Sequence, residues 1–165
     1  MKKKSNATIS NKHTLFSFCL IVLVYSSLGG IALLTDNASL ATLAPLSIGI
    51  ALGLGILIVD QLFLSQYYLE SGETQLITRS VIFLLILIPL SIFVLTSSGS
   101  LVGMGMMIGL QVGLTAEMLQ LRKQPDAFAR RFLQHVHHQY SNQEIKLIIF
   151  AAVVVVILTH LFVFL

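Results

Sequence analysis

Five long apolar stretches, at residues 15–34, 42–64, 81–98, 101–121 and 147–165, alternate with short polar segments that hold all ten Lys and Arg residues. At 1.5 Å rise per residue, each stretch is long enough as a helix to cross, or nearly cross, a hydrocarbon layer of ~30 Å. In such a layer every backbone polar group must be satisfied within the segment, which restricts the chain to helices. The pattern predicts an all-α integral membrane protein with five transmembrane helices, and residues 1–165 form one membrane domain. Composition agrees, because charged residues make up 10% of the chain against about 25% in soluble domains.

Cations near helix ends are retained on the cytoplasmic side. With the N-terminus inside, the inner segments hold Lys2, Lys3, Lys4, Lys12, Arg79, Arg122, Lys123, Arg130, Arg131 and Lys146, and the outer turns hold none. This places the C-terminus outside and requires an odd number of spans. The first stretch is too long for a secretory h-region and lacks a small-x-small cleavage site, so it reads as an uncleaved helix. Cys19 is the single cysteine and permits no intrachain disulfide. The topology suits a bacterial inner membrane, and the architecture is that of small accessory proteins of bacterial envelope machines, an analogy without a residue motif behind it.

Residues 122–146 form the one sizeable polar stretch. Pro125 and Asp126 suit a helix start, and Phe128, Phe132, Leu133, Val136 and Tyr140 then recur at spacings of three and four. This predicts an amphipathic interfacial helix over about 125–140, with Phe128 and Phe132 in the acyl boundary and Arg130 and Arg131 against anionic headgroups. The plainer reading is a solvated basic connector. His135, His137, His138 and His13 lack a partnering Cys or carboxylate at ligand spacing, so no metal or cofactor is expected.

Within the spans, ionisable groups are costly and informative. Asp60, with Gln61 beside it, and Glu117 each fall about one turn from the inner end of their stretch. Gly105, Gly109, Gly113 and Glu117 stand four apart, and Gly49, Gly53 and Asp60 share a face. Glycine faces let helices approach closely, which would bring Asp60 and Glu117 into one inner polar pocket with a cation such as Arg79, Arg122 or Lys123. The plainer account is ordinary helix packing with acids that snorkel to the interface. Met104, Met106, Met107 and Met118 read as gap-filling core, and Gln111 and His160 as groups that bond across helices. Pro89 frees a carbonyl in mid-span and predicts a kink, with Ser91 near enough to re-satisfy the freed group.

Hydrolase, metalloprotease and phosphate-loop motifs are absent from the sequence. No folded module is available to read nucleic acid. The expected function is non-enzymatic: an accessory or assembly subunit that self-associates or packs with another integral membrane protein and contacts anionic lipid headgroups. The alternative is a small transporter or channel subunit that uses the Asp60/Glu117 pocket. In the first case Gly109→Leu disrupts assembly; in the second, Asp60→Asn abolishes flux.

Overall fold

The computed structural model describes residues 18, 21, 24, 25, 40–64, 77–133 and 140–164. Helices account for almost all of them, and no strand occurs among them. In chain order they are α1 (Leu40–Val59), continued by a π-helical turn at Asp60–Leu64; a 3-10 turn at Ile77–Arg79; α2 (Val81–Ser97); α3 (Leu101–Leu121); α4 (Pro125–Phe132); and α5 (Asn142–Phe164). Three segments, Ala41–Leu62, Leu101–Leu121 and Asn142–Phe162, are long and apolar enough to cross a membrane, while α2 is apolar but shorter. Of the stretch at 15–34, only Phe18, Ile21, Val24 and Tyr25 lie among the described residues, and all four are helical.

Local chemistry explains the boundaries. Pro45 lies in the early turns of α1. Ser80 and Ser100 cap α2 and α3, accepting hydrogen bonds from Phe83 N (3.1 Å) and Gly103 N (3.2 Å). The turn between them closes through Ser98, whose hydroxyl donates to Val94 O at 2.6 Å. Gly99 in this turn adopts φ +57°, a left-handed conformation that side chains disfavour. The last helix starts at 142, five residues earlier than the apolar run. There the Ser141 hydroxyl accepts from Glu144 N (3.3 Å) and the Glu144 carboxylate accepts from Ser141 N (2.7 Å), a reciprocal capping box.

The centre of the bundle is α3, with 61% of its apolar window buried against 33% for α1 and 17% for α5. Its principal neighbour is α1. A Cβ on Gly49 would meet the Val102 carbonyl oxygen and lie 2.9 Å from Gly105 Cα; one on Gly53 would meet Met106 O. From the other side, a Cβ on Gly105 would meet Leu46 O and one on Gly109 would lie 3.1 Å from Ile50 Cα. The two backbones are therefore in direct contact, a packing that only glycine permits. Gly113, further along, is covered instead by the side chains of Leu57 and Leu54.

Three sequence expectations change here. The interfacial helix ends at Phe132 rather than near 140, where Leu133 leaves helical geometry at φ −125°; residues 134–139, with the three histidines, lie outside the described residues. Phe128 and Phe132, expected to face lipid, are 0% exposed and stack at 5.2 Å within the core. A helix of eight residues has one narrow apolar stripe, and burial against the bundle consumes it. Ser91 likewise donates to Leu87 O rather than to Leu85 O, the carbonyl that Pro89 frees.

Replacing Gly109 or Gly53 by Leu is expected to destabilise the folded chain by about 3 kcal/mol, the upper end for overpacking, because backbone rather than a movable side chain occupies the space. Gly55, with nothing within 4 Å of its Cβ position, is the control: Gly55→Ala is expected to be neutral or stabilising. Thermal unfolding in detergent measures both.

Candidate functional site: a charge cluster at one end of the bundle

Between Lys12 and Arg122 the sequence contains a single cation, Arg79. It follows an internal gap in the described residues and sits in the short 3-10 turn before α2, with none of its side chain exposed. A guanidinium cannot shed its proton in a protein, so burial obliges the fold to supply partners for five N–H groups. Three elements do so. From α3, Glu117 accepts from Nε at 2.9 Å. From the end of α1, Asp60 and the Leu57 carbonyl accept from Nη1 at 3.1 and 3.2 Å, and Gln61 accepts from Nη2 at 3.3 Å. The adjacent Thr78 hydroxyl accepts from Nη1 at 3.0 Å.

The π turn at Asp60–Leu64 places Asp60 and Gln61 side by side on this guanidinium. Such wide turns interrupt α-helices where side chains must be redirected. Asp60 Oδ2 also accepts from Thr78 N at 3.0 Å and from the Thr78 hydroxyl. Its other oxygen, Oδ1, has no hydrogen-bond partner. The second oxygen of Glu117 forms an ion pair with Arg131 of α4. Arg131 lies outside the apolar helices, a fifth of its side chain exposed, and burial pulls its guanidinium below the usual range while Glu117 partly restores it. Two carboxylates and two guanidiniums thus form a balanced chain, Asp60–Arg79–Glu117–Arg131, that ties together α1, the 3-10 turn, α3 and α4.

The structure brings together Asp60, Gln61 and Glu117 and selects Arg79 as their cation. Arg122 and Lys123 are exposed elsewhere. Arg131, read from sequence as a headgroup contact, turns inward to Glu117, whereas Arg130 is exposed and donates to Asp126 O at 3.1 Å. Thr78 was without signal in the sequence; a hydroxyl beside a lone cation is the clue. Gly49, Gly53, Gly105 and Gly109 face the backbone of the opposing helix at the α1–α3 contact, and Gly113 packs on the side chain of Leu57, whose carbonyl belongs to the cluster.

Further from the cluster, Gln111 Nε2 donates to Ser91 Oγ at 2.7 Å, joining α3 to α2. The Tyr25 hydroxyl meets His160 Nε2, and His160 Nδ1 lies 2.7 Å from Val156 O. A proton on Nδ1 satisfies the carbonyl and leaves Nε2 as acceptor for the tyrosine. Two cavities, of about 190 and 260 Å³, lie between α2 and α5; neither is lined by Asp60 or Glu117. Among the described residues no group of three or more His, Cys, Asp or Glu side chains could hold a metal ion. No known family, curated protein or solved structure matches the chain.

Arg79→Met is expected to cost about 3–5 kcal/mol, because it strands buried carboxylates. Adding Asp60→Asn should recover part of that loss, since Glu117 keeps Arg131 and no unmatched carboxylate is left at the α1 end. Denaturation in detergent of the wild type, the single and the double variant measures the recovery. A double variant less stable than the single one would contradict the pairing.

Proposed function

We propose that this chain is a non-enzymatic, multi-pass membrane protein with five spans that serves as an accessory or assembly subunit, packing against itself or another integral membrane protein. The observation that carries this reading is the closure of the charge cluster: its central guanidinium is fully buried, each acid is paired, and neither cavity reaches them. A static staple of this kind fixes helix positions without carrying solute. The α1–α3 glycines are consumed inside the chain, so the assembly face lies on α2 and α5. There Ile82 and Phe93, with Leu147 and Phe150, point outward.

For orientation, the support is that every Lys, Arg, Asp and Glu among the described residues lies at the cluster end of the bundle, where α1 and α3 finish and α2 and α5 begin. By the positive-inside rule that end faces the cytosol, with residue 1 inside and residue 165 outside, in a bacterial inner membrane under this reading. Arg130, Arg122 and Lys123 then face anionic headgroups. The alternative, a transporter or channel subunit, draws on Asp60 Oδ1, which has no hydrogen-bond partner among the described residues and is the oxygen that would take a proton or cation.

Reporter fusions at positions 37 and 165 are expected to read outside, and fusions at 72 and 124 inside; residues 1 and 165 in one compartment would overturn the topology. Cysteines placed at Phe93 and Phe150 in a Cys19→Ser background are expected to form crosslinked adducts in intact membranes, above the 18.1 kDa chain. No adduct from either position, with a strictly monomeric particle in mild detergent, would refute the assembly role. Proteoliposome flux that is lost in Asp60→Asn would favour the alternative.

A further inference from the structure

The gap between α2 and α5, floored by α3, has the dimensions and end charge of a lipid site. The two cavities adjoin at Ile88 and Val155, which line both, and together they extend from Leu84 to Thr96 along α2, about 18 Å at helical rise, a slot between the two helices. A helix, ~10–12 Å across, does not fit volumes of about 190 and 260 Å³. An extended hydrocarbon chain does.

Most of the lining suits a tail. Ser91 Oγ donates to Leu87 O and can therefore only accept from Gln111 Nε2, which ties these two groups to each other, while Gln111 Oε1 is buried without a hydrogen-bond partner among the described residues. The rest of the lining is largely Leu, Ile, Val, Ala and Met. The foot of the slot is charged. On α3 the lining residues Gln111, Thr115 and Met118 continue at helical spacing to Arg122, which is exposed and forms no ion pair among the described residues. On α5 the corresponding acid, Glu144, is engaged by the Ser141 amide.

We propose that this slot holds one acyl chain of an anionic phospholipid, with the phosphate of that lipid at Arg122. The tail fills the space between α2 and α5, and the guanidinium at the α3 terminus selects a negative headgroup over a zwitterionic one. The site requires the helices to lie in lipid and is independent of the assembly role.

The test is lipid retention by the full chain in mild detergent, read by native mass spectrometry after exchange into phosphatidylglycerol or phosphatidylcholine. Wild type is expected to keep one phosphatidylglycerol in preference to phosphatidylcholine. Arg122→Gln should lower phosphatidylglycerol occupancy about fivefold and leave phosphatidylcholine unchanged. Ala152→Phe should fill the slot and lower both lipids; if that variant loses helical content, Ile88→Trp fills it from the opposite wall. Equal retention of the two lipids by wild type, or occupancy insensitive to Arg122→Gln or to a folded slot-filling variant, would overturn the proposal. Crosslinking from Phe93 and Phe150, which line neither cavity, reads the assembly role separately, so either idea can fail alone.

Discussion

A guanidinium with no exposure to solvent is the constraint around which one end of this bundle is arranged. Removing such a charge from water costs several kcal/mol even after relaxation, and the cost is recovered only when acids and hydrogen-bond acceptors surround it with good geometry. Arg79 has two acids, a backbone carbonyl, an amide and a hydroxyl around it. Because these come from α1, the turn before α2, and α3, the charge fixes where those elements end relative to one another. Arg131 extends the same requirement to α4 through Glu117.

The glycine contact acts on a different part of the same pair of helices. Lipid tails are as apolar as leucine, so helices in a membrane gain little from hiding leucine and must gain from close contact and polar bonds. Backbone contact at Gly49, Gly53, Gly105 and Gly109 provides the first, and the cluster at the helix ends provides the second. The two reinforce each other, since a one-residue slip of α1 along α3 would move Asp60 away from Arg79 and press side chains into the backbone. In contrast, α2 and α5 meet α3 mainly through larger side chains, with the Gln111–Ser91 bond joining α3 to α2, and it is between them that space remains.

Much of the fold could be read in the sequence because its causes are local. Apolar runs gave the helices at 101–121 and 81–97 nearly to the residue, since serine caps and Gly99 punctuate them. The start of α5 was misplaced because hydropathy registers the apolar run and is blind to the Ser141–Glu144 capping box. The length of α4 was overestimated for a related reason: a helical period in the sequence continues past the point where the backbone turns away.

Helical character, apolar span lengths, the clustering of charge and the four-residue glycine spacing follow from the order of residues alone, because each depends on neighbours within a turn or two. Tertiary structure alone decided which cation joins Asp60 and Glu117, why Arg131 faces inward, and that Phe128 and Phe132 pack against protein. Those outcomes depend on which helix faces meet across tens of residues of chain. A periodic stripe declares that a face will be covered, but the identity of the cover is set by how close the α1 and α3 backbones can come.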